Sequence, residues 1–267
     1  MAPADVIIVG GGLIGLAIAL EFHQQGTKVT VLSKDFAAAA GHAAAGMLAP
    51  GAEKLNGPML ELCQRSLDLY PGWVSKLEDL TGKDTGYWPS GILLPYLSEK
   101  TGSALGSKAI HSYQSGLSPS VMGGDFYPED AQVDNRALMQ TLQSAALDLG
   151  IDIQLGVSVE GLIQKQGRVM GLRTSAGERY AAHYVLATGA WSGDLLPIPV
   201  SPRKGQMISL RVPTGYGQAQ PLRRVLYGDQ VYVVPRQDGR IVLGATVEDV
   251  GFAPHNTPMG VSQILGA

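Results

Sequence analysis

Apolar residues run without interruption from Val6 to Val9, the pattern of a strand covered on both faces. "GGGLIG" turns that run into a helix reaching about His23, with Gly26 as its stop, and "KVTVLS" is a second strand. From Phe36 to Gly57, "FAAAAGHAAAGMLAPGAEKLNG" has too many small side chains to pack a core alone. It reads as backbone lying over something flat, followed by a loop. A helical run, "PMLELCQRSLDLYPGWVSKLEDL", then places Met59, Cys63, Leu67 and Tyr70 on one face. Residues from about Thr85 to Tyr127 are rich in Gly, Ser and Pro, with short strand-like pieces such as "GILLPYL". Leu138, Leu142, Ala145 and Leu149 mark another helix, with Asp134 as its cap and Gly150 as its stop.

Three strands follow: "IDIQLGVSVEGLIQ", "GRVMGLRTS" and "ERYAAHYVLATG". "KGQMISLRV", "RVLYGDQVYVVPR" and "RIVLGATV" then read as successive antiparallel strands. Thr257 and Pro258 open a last helix. The pattern stops about two turns later, which reads as a domain short of its carboxy-terminal portion. The fold class expected is α/β: a Rossmann-like unit with a three-stranded antiparallel meander, plus a second α+β unit on an antiparallel or mixed sheet.

Composition narrows the function. Charged residues are 16% of the 267, against about 25% in ordinary domains, and 35 glycines are roughly twice the usual share. Such glycine content points to tight turns and to backbone lying against a ligand. A net charge of -3 gives no electrostatic case for nucleic acid or an anionic membrane. The lone Cys63 excludes an intrachain disulfide, fits a reducing compartment, and reads as a packed, inert thiol. No CxxC or HExxH metal pattern is present. Val6 to Leu20 is too short and glycine-interrupted to span a bilayer, and Asp5 precedes it rather than a basic region. A soluble, cytoplasmic protein is the expectation.

Gly10, Gly12 and Gly15 satisfy GxGxxG between a strand and a helix. The first glycine permits the turn, the second lets backbone approach a pyrophosphate, and the third lets helix and strand pack closely. The acidic residue that usually ends the second strand on a ribose hydroxyl is replaced by Ser33, followed by Lys34. A hydroxyl and then a cation also suit an adenosine 2′-phosphate, so NADP stays open at this position. Later residues argue for a flavin: the small-residue ribbon "HAAAGMLAP", an inserted antiparallel meander, and a strand running into "VLATGAWSG".

With these pieces in order, the sequence resembles the FAD-dependent amino-acid oxidase family that includes D-amino-acid oxidase, sarcosine oxidase and glycine oxidase. The resemblance is carried by "VIIVGGGLIG", "AAAGMLAP", "VLATGAWSG", "RKGQM" and "VYVVPR" with "GRIVLGATVE", and it spans nearly the whole chain. "AAAGML", "YVVPR" and "GATVE" make it most similar to the glycine oxidase group of thiamine (thiazole) biosynthesis.

The resemblance implies non-covalent FAD, with Gly10, Gly12, Leu13, Ile14 and Gly15 lining its pyrophosphate and Ser33 and Lys34 at the adenosine ribose. It puts Ala40, Gly41, His42, Ala45, Gly46 and Met47 beside the phosphates and the isoalloxazine. Val159 gives its backbone to the adenine, and Thr188 and Gly189 close the same region. His42 stands one residue from a place where some relatives attach flavin covalently. Tyr232, Tyr227 and Met47 are the implied substrate-facing residues, and strand packing is the plain alternative for the tyrosines. The family's carboxylate-gripping arginine would lie beyond Ala267; Arg203 and Arg236 do not match its position.

No histidine among His23, His42, His111, His183 and His255 sits in an acid–base pattern, so no catalytic side chain is singled out. The implied domains are 1–57 with 131–200 for FAD, and 58–130 with 201–267 for substrate. The implied partners are a small amino acid or amine and oxygen, with a homo-oligomer as a further expectation. Two alternatives to an oxidase of glycine, sarcosine or D-amino acids remain at this point: an NADP-dependent dehydrogenase, and a flavin-binding module completed by a partner chain.

Overall fold

The computed structural model describes residues 4–98, 103–213 and 221–267. Along the chain, β1 (Ala4–Val9), α1 (Leu13–Gln24) and β2 (Val29–Ser33) come first, then a 3-10 turn at Ala40–His42 and the short β3 (Met47–Leu48). The long α2 (Gly57–Thr81) leads to β4 (Ile92–Tyr96), β5 (Leu105–Gly106), α3 (Ser107–Tyr113), β6 (Gly123–Tyr127) and β7 (Ala131–Gln132). After α4 (Asn135–Asp148) come β8 (Asp152–Leu155), β9 (Val159–Lys165), β10 (Arg168–Thr174), β11 (Gly177–Arg179) and β12 (Ala181–Leu186). A 3-10 turn at Gly189–Trp191 and α5 (Ser192–Leu195) precede β13 (Met207–Arg211), β14 (Val225–Tyr227), β15 (Tyr232–Pro235), β16 (Arg240–Gly244) and α6 (Pro258–Gly266).

These elements divide into two units. Unit 1 holds residues 1–44, 77–84 and 135–202, and unit 2 holds 45–76, 85–134 and 203–267. Residues 45–57 were expected with the nucleotide unit but group with unit 2. Two contacts explain this: β3 pairs with β7, and Asp130 accepts hydrogen bonds from the backbone of Gly51 and Ala52.

Unit 1 is built on a four-stranded parallel sheet of order β12-β1-β2-β8. Val6, Ile7, Ile8 and Val9 are all buried, as the uninterrupted apolar run predicts. Gly15, Leu16, Ala19 and Leu20 form the buried face of α1. Leu138, Leu142 and Ala145 of α4 are fully buried, and α1 and α4 pack together. A separate antiparallel meander, β11-β10-β9, sits beside the parallel sheet in the same unit, with Leu172 joining the cluster of Ile7, Val9 and Leu32.

Two runs read as single strands are each split between the two sheets. "IDIQLGVSVEGLIQ" supplies β8 to the parallel sheet and β9 to the meander, with Gly156 at φ 76° between them. "ERYAAHYVLATG" supplies part of β11 and then β12, with Tyr180 between. Asp134, read as the cap of α4, precedes that helix and gives its carboxylate to Arg240.

Unit 2 is built on a seven-stranded mixed sheet of order β13-β16-β15-β14-β4-β6-β5, in which only the β14–β4 pair is parallel among the described strands. "RVLYGDQVYVVPR" folds back as the β14–β15 hairpin rather than running as one strand. Thr257 caps α6, its hydroxyl accepting from the Gly260 amide. No described helix is long and apolar enough to cross a membrane.

Candidate functional site

In unit 1 the carboxyl edge of the parallel sheet is shaped by missing side chains. Gly10 has φ 113°, and a Cβ on it would lie 2.3 Å from the Ala187 carbonyl oxygen. A Cβ on Gly15 would lie 1.8 Å from the Gly10 carbonyl oxygen, so helix and turn close up only because both are glycine. Gly12 caps α1 without a side-chain bond, and no acidic residue stands in the first turn. The positive end of α1 is therefore left to an external anion. This is the cradle a pyrophosphate needs, so the residues present fit FAD on geometry as well as on motif.

The neighbouring strands end at the same edge. Val9 is in register with Leu32 on one side and Leu186 on the other, which brings Gly10, Gly12, Leu13, Ile14, Gly15, Ser33, Thr188 and Gly189 together. Val159 joins them because the Val157 amide donates to the Ser33 carbonyl. Ser33 is 3% exposed, and its Cβ would lie 2.7 Å from one built on Gly11. Its side chain is thus tucked under the glycine turn, whereas Lys34 is exposed. Asp35 turns back to accept from the amides of Ala37 and Ala38. Thr188 exchanges a hydroxyl bond with Ser192 at 2.9 Å.

Ala40, Gly41 and His42 are held against the start of α4. The Asn135 amide donates to the Gly41 carbonyl at 2.8 Å, Arg136 donates to the His42 carbonyl at 3.1 Å, and Met139 fills the space a Gly41 Cβ would need. The His42 ring stands edge-on to Phe36 at 4.7 Å. Burial lowers its pKa below the usual histidine value, and the Arg136 charge lowers it further, so the ring is neutral at pH 7.

Unit 2 gathers Ala45, Met47, Tyr227 and Tyr232 into one apolar cluster with Ala49, Ala52 and Tyr96. Gly46 adjoins it, its carbonyl accepting from the Val133 amide. Tyr227 and Tyr232 face each other across the hairpin, with rings parallel within 3° and 6.5 Å apart. Gly244 lies opposite Tyr232 on β16, where any side chain would strike the Tyr232 ring. Burial pushes both phenols above the usual tyrosine pKa, and the Glu53 charge adds to this. Both therefore stay protonated at neutral pH as hydrogen-bond donors. The Tyr232 hydroxyl is 3.6 Å from the Met207 sulfur, a weak acceptor.

Three residues important to this segment carry no motif signal. Arg236, 3% exposed, donates to the carbonyls of Ala45 at 2.6 Å and Val133 at 2.8 Å and to Gln132 Oε1 at 3.1 Å. It is a strut between the end of β15 and the ribbon leading to Met47. Asp130, 2% exposed, holds the Gly51 and Ala52 amides at 3.1 and 2.7 Å. Glu53 follows that gripped pair and, with Met47, lines a cavity of about 200 Å³. Cys63 and Tyr70 line the same cavity. The thiol is thus half-buried beside a cavity rather than packed. Met59, expected on the buried face of α2, is 57% exposed, because full burial on that helix begins only at Val74.

The sequence model of the DAO family, described as FAD-dependent oxidoreductases, matches residues 5–267. The chain belongs to this family. Membership makes FAD the cofactor class and sets aside the NADP alternative raised by Ser33 and Lys34. The chain is 55% identical to the bifunctional protein ThiO/ThiG of Trichormus variabilis across 98% of its own length and 42% of that protein. It is 30% identical to the glycine oxidase of Bacillus licheniformis, across 98% of this chain and 74% of that one. The crystal structure of glycine oxidase from Geobacillus kaustophilus matches with a TM-score of 0.90 at 26% identity, covering all of this chain and 77% of that one. This member of the DAO family thus spans well under half the length of the bifunctional relatives it matches.

Proposed function

We propose that the chain forms the flavin- and substrate-handling part of an oxidase acting on glycine or a related small amine such as sarcosine or a D-amino acid. The product is the imine, which hydrolyses to the 2-oxo acid and ammonia (methylamine from sarcosine), while oxygen is reduced to hydrogen peroxide. The reaction belongs to the supply of the thiazole of thiamine, in the cytoplasm, with the small amine and oxygen as working partners. The observation that carries this reading is identity: 30% to a glycine oxidase of which the chain covers 74%, with the higher ThiO/ThiG identity pointing to the pathway.

In this reading unit 1 holds FAD and unit 2 handles substrate. Gly10, Gly12, Leu13, Ile14 and Gly15 receive the pyrophosphate at the bare end of α1. Val159, Thr188 and Gly189 surround the adenosine end; Ser33 contributes backbone more readily than its buried hydroxyl. Bound FAD supplies the acceptor for the two electrons and hydrogen that leave the substrate α-carbon. The chain's own contribution is orientation and exclusion of water. Tyr232 and Tyr227 donate hydrogen bonds to the substrate carboxylate, and Met47 fills space with its flexible thioether. Purified full-length protein should be yellow as isolated and release peroxide with glycine. A colourless protein that takes up no added FAD would reject the reading, and activity only on adding a second polypeptide would replace it with the completed-module alternative.

A further inference from the structure

The cavity of about 200 Å³ in unit 2 lies between the Met47–Leu55 segment and α2. Its walls are Met47, Leu67 and other apolar groups, with Cys63, Ser66 and the phenol of Tyr70. Among the described residues, Glu53 carries the cavity's single charge, and no basic side chain lines it. Ala49 and Ala52, just before Glu53 in the same turn segment, pack in the same cluster as Tyr227 and Tyr232. Glu53 therefore lines the cavity and is close enough to the tyrosine pair for its charge to act on both phenols.

The backbone that carries Glu53 is fixed, while its side chain is exposed at the cavity wall. The Glu53 amide donates to the Ala49 carbonyl, and the buried Asp130 clamps the two preceding amides. Gly51 has no room for a side chain, since a Cβ would lie 2.6 Å from the Tyr127 ring. Glu53 acts on both phenols, its charge adding to the rise that burial gives them.

We propose that Glu53 is a specificity-determining residue: its carboxylate admits small amines carrying a single carboxylate and turns away amines with a second anionic group. The physical reason is repulsion between like charges in a cavity that offers no compensating cation. The inference rests on the oxidase reading for the identity of its ligand, and adds the charge class that the site selects.

The test uses the full chain loaded with FAD and two amines of nearly equal size, iminodiacetate and its monoamide. Binding is read by quenching of intrinsic fluorescence, independently of turnover. The wild type should bind the monoamide about tenfold more tightly than the diacid, as expected for like charges partly screened by solvent. Glu53→Gln should abolish that preference, and Glu53→Asp should keep it. Equal affinities in the wild type, or a preference unchanged in Glu53→Gln, would overturn the assignment. So would binding of neither amine; peroxide formed from glycine in that case would leave the oxidase reading standing.

Discussion

The glycine edge of unit 1 and the Ala45–Glu53 segment of unit 2 are both surfaces of small residues, yet they are fixed in opposite ways. At the glycine edge, form comes from side chains that are absent at residues 10–15, against which Ser33 and Ala187 close. In the Ala45–Glu53 segment, form comes from buried polar side chains supplied from afar. Arg236 reaches Ala45 across 191 residues of sequence, and Asp130 reaches Ala52 across 78. The first surface is written mainly in the glycine pattern itself, whereas the second exists only once the sheet of unit 2 has assembled.

That contrast can be broken at several points. Gly15→Ala should have the largest effect, because its Cβ would overlap a backbone oxygen that cannot move away cheaply. A loss of about 4 kcal/mol or more is expected, seen in thermal melts as failure to fold or a collapse of Tm; a wild-type melting curve would refute the close-approach argument. Arg236→Leu comes next. It strands two backbone carbonyls and the Gln132 side-chain oxygen, at about 3 kcal/mol by urea denaturation. Arg236→Lys should recover little of this, since a single ammonium cannot reproduce the guanidinium fork.

Asp130→Asn should cost less, about 1–2 kcal/mol, because one oxygen acceptor survives while the new amide faces a backbone N–H. Its signature is local: faster hydrogen exchange at Gly51 and Ala52, with unit 1 unchanged. The smallest effect concerns pH. Hydrogen bonds from Thr246 and Gln206, with a lesser contribution from the Lys204 charge, hold Glu248 below the ordinary glutamate pKa of 4.5. Its native state therefore releases the proton more readily than the unfolded chain, so this contribution is present above pH 4.5 and fades as pH falls through the native value. Glu248→Gln should flatten the acid limb of stability below pH 4.5, measured by urea melts across that limb.

Legibility in the sequence follows the same division. The β1-α1-β2 unit, α4 and the Thr257 cap could be read because periodicity and turn residues are local signals. The split of two long apolar runs between sheets could not, since a strand's hydrophobicity does not say which neighbour it joins. Asp134 stands directly before α4, where its residue type suits a cap, and its pairing with Arg240, distant in sequence, has no local signal. Helical spacing also set Met59 on the same face as Cys63 and Tyr70, while burial along α2 depends on what lies opposite each turn. Arg236 stands outside the position expected for the carboxylate clamp. Its work as a main-chain strut has no sequence signature.

Four residues within the strings that carried the family resemblance interlock. Lys204 pairs with Glu248 at 3.6 Å, the Gln206 side chain donates to Glu248 at 2.6 Å, and the Gln206 amide donates to the Thr246 hydroxyl at 2.9 Å. Gln206 also accepts from the Thr257 amide at 2.7 Å, tying down the start of α6. Descendant lineages cannot replace one member without stranding another, so these positions should drift together or stay fixed. Variation is then left to side chains outside the knot.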